Sequence, residues 1–232
     1  MAVKFNVLYS EEKDILAYLN ALWKSPWVNY GKSHYEIGKK YLPIGLLDSL
    51  KNASSKNEAV KIIKDYWKNI RSSSFTNNSE LLSKWFSIFL NTEGSEKIIK
   101  PLENVYQKKF PFKQINVYLT SFFSCPYNYE ENWFMVGRNG SLLWLLSTSI
   151  HELNHFMFYY YYDQNLEKQG FSESQREHLK EALAILTSDN SKENQDKPQV
   201  LPIQNFIKEN KDKSIDKIIE LIIKNKLLDN IK

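Results

Sequence analysis

The sequence predicts an α+β protein, predominantly helical, with one small mixed β-sheet. Three observations carry this. Only 7 of the 232 residues are Gly, and helix starts led by Ser recur along the chain. Runs with apolar residues every three or four positions dominate. Short β-branched and aromatic runs bounded by Pro and Gly occur at the N-terminus and between residues 114 and 137. A hydrophobic content of 42% over 232 residues supports a sizeable core and a single domain spanning 1–232.

Met1–Tyr9 alternates as a strand and lacks the apolar block of a signal peptide. Ser10–Trp23 reads as a helix through Ile15, Leu16, Leu19 and Leu22. Trp27–Leu47 is broken by Gly31, Gly38, Pro43 and Gly45 into a long connection or a pair of short elements. Ser55-x-x-Glu58 is a capping box opening a helix to about Ile70. Ser79–Asn91 and Ser95–Lys108 read as two more helices, the second interrupted or kinked near Pro101. These N-terminal elements fill residues 1–113.

Residues 114–190 carry the chemistry. Gln114–Phe122 and Trp133–Val136 read as strands. Ser141–Tyr159 is free of Pro and Gly, long enough for about five helical turns, with Gly140 and Ser141 as its start. Leu142, Leu143, Leu146, Ile150, Leu153 and Met157 form its apolar stripe, while His151, His155, Tyr159 and Tyr162 fall opposite, toward a cleft. Asp163–Gly170 turns the chain, and the Ser172-x-x-Gln175 capping box opens a second helix. Ser188–Lys197 reads as a linker. Within 198–232, Ser214–Leu228 is an amphipathic closing helix with Ile215, Ile218, Ile219 and Ile222 on its apolar side.

Composition excludes several classes. The net charge is +4, the basic residues are nearly all Lys, and they are spread rather than clustered, which is not the pattern of a nucleic-acid binder. No apolar run approaches the ~20 residues of a membrane span. One cysteine, Cys125, rules out an intrachain disulfide and suits a reducing compartment, so a cytoplasmic location is expected. No Gly-rich phosphate loop and no nucleophilic Ser elbow occurs.

The informative stretch is His151-Glu152-Leu153-Asn154-His155. Residues i and i+4 share a helix face, so both imidazoles can reach one ion, and Glu152 can reach a water in the ion's open position. Chance places such a motif in roughly half a percent of chains of this composition. A third protein ligand is needed. A third His six residues on is excluded, because position 161 is Tyr. Glu177, His178 and Glu181 share a face of the second helix. Glu181 is favoured, because Ala182 and Ala184 permit close packing and a carboxylate there requires a charged partner. His178 and Glu177 are the alternatives, and His178 could instead bond a ligand or an oxyanion.

These residues resemble a zincin metallopeptidase, more narrowly a gluzincin, in which His-Glu-x-x-His lies on one helix and a Glu on the next. The likeness covers roughly Ile115 to Asp189. It implies Zn²⁺ held by His151, His155 and Glu181, with Glu152 as general base. It also implies a peptide or protein substrate, a sheet packed on the active-site helix, and one of the two strands as a substrate-binding edge. Tyr159 and His178 are the nominees for the transition-state donor. The family's usual Asn before and Asp four after the ligand Glu are replaced by Lys180 and Ile185. The competing expectation is a catalytically silent zincin-like protein that binds peptides or proteins. A Cys-His-His site like that of peptide deformylase would use Cys125, but that family's flanking Gly and Gln motifs are missing.

Overall fold

The structure is a computed structural model and describes residues 3–23, 28–29, 32–71, 75–187 and 200–231. The chain divides into two compact units, each assembled from separate stretches. One comprises residues 5–89 and 115–141; the other comprises 1–4, 90–114 and 142–232.

The first unit holds the sheet. Its strands are β1 (Lys4–Tyr9), β4 (Gln114–Thr120), β5 (Tyr127–Asn128) and β6 (Trp133–Gly137), in the order β1-β4-β6-β5. β4 and β6 are parallel, with Thr120 opposite Gly137, and β5 pairs antiparallel with β6. β6 is buried at every position, as befits a strand covered on both faces, whereas β4 alternates. One of β4 and β6 is expected as a substrate-binding edge, but both are internal; β1 and β5 are the edges. The sequence reading went astray because β5 is only two residues long and carries no strand signal of its own.

Helices α1 (Glu11–Leu22), α3 (Ile44–Asn52) and α4 (Lys56–Ile70) form this unit's core through Tyr18, Leu19, Leu47, Leu50, Ile63 and Trp67. Ser10 caps α1 by accepting the Lys13 N–H. Ser55 caps α4, but the box is only half made: the Glu58 carboxylate accepts from the Ser54 N–H and hydroxyl rather than from Ser55. The foreseen pair of short elements is the ribbon β2 (Val28–Asn29) with β3 (Lys32–Ser33), followed by α2 (His34–Gly38).

Residues 75–106 form one continuous helical run in place of two separate helices: α5 (Phe75–Gly94), a π-turn at Ser95–Ile99 and α6 (Lys100–Tyr106). The Lys100 N–H reaches back to the Ser95 carbonyl, so the chain widens by one residue just before Pro101, which has no N–H to give. That absorbs the proline without a break.

The second unit is helical. α7 (Leu142–Phe158) runs into a π-turn (Tyr159–Asp163) and α8 (Gln164–Lys168). α9 (Glu173–Leu183) continues as a short 3₁₀ turn (Ala184–Leu186), and α10 (Leu201–Glu209) and α11 (Ile215–Lys224) follow. Ile215, Ile218, Ile219 and Ile222 are buried, as the amphipathic pattern predicts; α10 is an additional helix in the closing segment. The linker foreseen at Ser188–Lys197 lies outside the described residues. Among the described residues, no helix is long and apolar enough to cross a membrane.

Candidate metal centre

The site is built on α7 and α9. The turn between them is a Schellman motif: the Phe171 N–H bonds the Leu166 carbonyl and the Gly170 N–H the Glu167 carbonyl. It needs a left-handed residue, and Gly170 supplies it at φ +89°. Two residues later Ser172 and Gln175 complete the foreseen capping box and start α9. Arg176 then ties α9 back, donating to the Asp163 carboxylate at 2.8 Å and to the Phe171 carbonyl at 2.8 Å. These bonds hold α9 in place relative to the end of α7.

Burial on α7 is concentrated in its second half. Glu152 through Phe158 are all buried, whereas Leu143, assigned to the apolar stripe, is 77% exposed. The buried face of the first half runs through Leu145 and Ser149 instead. Asn154 is buried within the motif and anchors it on two sides. Its Oδ1 accepts from the Tyr106 hydroxyl at 2.8 Å, and its Nδ2 donates to Thr187 Oγ1 at 2.8 Å. A helix fixed this way cannot rotate His151 and His155 out of register.

Among the described residues, His151, His155 and Glu181 bring one donor atom each within 4.8 Å of one another. The two histidine Nε2 atoms are 2.9 Å apart. Glu181 Oε1 is 3.3 Å from His155 Nε2, and Oε2 is 3.7 Å from His151 Nε2. Three donors each ~2.1 Å from one tetrahedral ion would be separated by about 3.4 Å, so this donor set fits a zinc ion in spacing and in chemistry. Burial drives the His155 pKa down to about 3, a shift the Glu181 carboxylate only partly opposes. The ring therefore stays neutral, the form that offers a lone pair to a metal.

Glu177 and His178 stand outside that set of donors. Glu177 accepts the Tyr159 hydroxyl at 2.6 Å and the Lys180 ammonium at 2.6 Å. The His178 Nδ1 lies 2.6 Å from the Ser174 carbonyl; a carbonyl only accepts, so Nδ1 carries the proton. With its proton given to Glu177, Tyr159 is not aimed as a free oxyanion donor in this arrangement. Tyr162, assigned to the ligand face of α7, bonds Asp216 at 2.8 Å instead. The π-turn is the reason: each of its residues turns the chain less than an α-helical residue does, so counting by 3.6 fails beyond Phe158.

Lys180 is the site residue the sequence reading passed over. Its side chain is 1% exposed, and Nζ lies 3.4 Å from the Tyr159 hydroxyl and 3.9 Å from Glu181 Oε1. A lysine is almost never this buried without acidic partners. Its three-residue spacing from Glu177 was the available signal. Among the described residues, Cys125 is not in the gathered donor set that a deformylase-like site would need.

No protein-family model matches this chain, and no curated protein and no solved structure matches it either.

Proposed function

We propose that this chain is a zinc-dependent peptidase of the gluzincin kind, with His151, His155 and Glu181 as metal ligands and Glu152 as general base. One observation carries the reading: three side chains of ligand type, from two packed helices, gather their donor atoms within 4.8 Å around a His-Glu-x-x-His motif. Zinc held there would polarise a scissile carbonyl and make a bound water acidic enough to attack it.

The chain's own residues then have distinct tasks. His155, kept neutral by burial, and His151 present nitrogen lone pairs, while Glu181 adds the single negative charge. Glu152, one residue round the helix from His151, takes a proton on its carboxylate and returns it to the leaving amine nitrogen. Lys180 stands behind Glu181, its ammonium 3.9 Å from the carboxylate, and adds positive charge beside it. Tyr159 is held by Glu177 and Lys180 at the flank of the site. A peptide or protein substrate follows from the reaction, and the single Cys125 fits a reducing, cytoplasmic setting.

Elemental analysis of the purified protein beside a peptide-library cleavage assay tests this. About one zinc per chain together with chelator-sensitive cleavage is the expected result. Zinc without cleavage would assign the chain to the silent, peptide-binding class. No transition metal, even after dialysis against zinc, would end the zinc reading.

A further inference from the structure

At the other end of the chemistry, in the sheet-bearing unit, a second polar cluster has charge left over. The carboxyl ends of β4 and β6 lie level, and the Arg138 N–H bonds the Thr120 carbonyl across them. Tyr9 ends β1, Arg71 follows α4 and Phe75 opens α5. The carboxyl end of parallel strands is where α/β proteins place their ligands.

Within this cluster Asp14 is wholly buried and fully engaged. It accepts from Thr120 Oγ1 at 2.6 Å, from the Ser121 N–H at 2.9 Å, from Ser121 Oγ at 2.8 Å and from Arg71 NH2 at 2.6 Å. Arg71 also donates from NH1 to the Tyr9 hydroxyl at 2.9 Å. Asp14 is thus fully paired. Arg138 is a different matter, for it has no acidic partner among the described residues. Its guanidinium carbon sits 3.6 Å from the centroid of Phe75, and that of Arg71 sits 4.0 Å from the same centroid. Two guanidinium groups therefore share one phenyl ring, and the cluster's one carboxylate, Asp14, pairs with Arg71. The Nε atoms of both arginines are buried and have no hydrogen-bond acceptor among the described residues.

We propose that this edge of the sheet binds a small oxyanion, a carboxylate or phosphate group, held by the Arg138 guanidinium with the buried Nε–H of Arg71 and the Tyr9 hydroxyl. A guanidinium fork presents paired N–H donors at the spacing of two oxyanion oxygens, and Phe75 holds the Arg138 fork flat. An acceptor there satisfies buried donors and separates two like charges. Burial pushes the Arg138 pKa down, and Arg71 adds to this, while Tyr9 and Asp14 pull smaller amounts the other way. Burial pushes the Tyr9 pKa up to about 12, so its hydroxyl keeps the proton it would donate. The site is independent of the metal reading and stands or falls alone.

Isothermal titration and thermal unfolding of the full chain test it, with sodium acetate and inorganic phosphate as probes against sodium chloride at matched ionic strength. Saturable one-site binding and a raised midpoint are expected with at least one probe. Arg138→Gln should weaken that binding by about 10- to 100-fold, the worth of a charge-assisted contact. Tyr9→Phe, which keeps the ring and removes one donor, should weaken it severalfold and serves if the first variant misfolds. Acetate alone binding would name a carboxylate ligand, and phosphate alone a phosphoryl group. Chloride matching both probes would overturn the proposal. So would an equal stabilisation of wild type and Arg138→Gln, since phosphate stabilises folded proteins generally by exclusion from their surface.

Discussion

Lys180 Nζ donates to Glu177 Oε2 at 2.6 Å, so a lysine with 1% of its side chain exposed is held by a carboxylate that is 40% exposed. The pair sits one residue from Glu181 and changes what Glu177 means. Sequence reasoning weighs Glu177 only as an alternative third ligand. The structure makes it the principal counter-charge of a buried cation. Glu177→Ala should destabilise the fold by about 1–3 kcal/mol, less than the ~3–5 of a wholly buried pair because one partner meets solvent. Adding Lys180→Met to it should recover much of the loss, since the orphaned charge is then gone. Urea midpoints of the two single variants and the double variant measure this. An unaltered midpoint for Glu177→Ala would show that Lys180 does not depend on it.

Glu181 and its neighbours separate by metal content. Removing a ligand should cost far more than the ~10–100-fold typical of residues that only orient ligands. Glu181→Ala is therefore expected to lose zinc on dialysis, while His178→Ala and Glu177→Ala keep it, with Glu177→Ala weakened at most ~100-fold. Elemental analysis after dialysis against a weak chelator reads this directly. Full occupancy in Glu181→Ala with loss in His178→Ala would transfer the third ligand to His178.

Glu152 is distinguishable from the ligands because its proposed work is on water rather than on the ion. Glu152→Gln keeps the size and hydrogen-bonding capacity of the side chain but cannot hold a transferable proton. It should retain about one zinc per chain and lose at least ~10²-fold in cleavage rate, the lower end of what a general base contributes. Near-normal cleavage by Glu152→Gln would remove this residue from the chemistry.

What was legible in the sequence follows the range of each signal. Ser172 and Gln175 are three residues apart, and their capping box forms as read. The gathering of His151, His155 and Glu181 followed from helix periodicity plus one turn. Periodicity failed where the helix changes pitch: the π-turn at Tyr159–Asp163 carries Tyr162 away to Asp216, and nothing in four consecutive tyrosines announces it. Strand order failed for a different reason. Sheet position depends on pairings between distant segments, and the two-residue β5 has no pattern to read. The Asp14–Arg71 pair joins residues 57 apart and was invisible on the same ground.

The last expectation concerns acid. His155 has a pKa of about 3 in the fold against an ordinary 6.5, because its burial penalises the charged ring. Between those values the unfolded chain binds a proton that the folded chain refuses, so stability rises with pH across the window. The contribution is complete above about 6.5 and is lost as pH falls toward about 3. Its steepest slope is about 1.4 kcal/mol per pH unit, one proton's worth. Urea unfolding of the metal-free protein, with a chelator present, should be followed from pH ~7 down to ~5.5, where unperturbed carboxylates are still largely ionised. The midpoint should fall steadily, and His155→Gln should flatten the profile by removing the proton-binding group. A flat wild-type profile, or an equal slope in the variant, would mean that the ring takes its proton inside the fold.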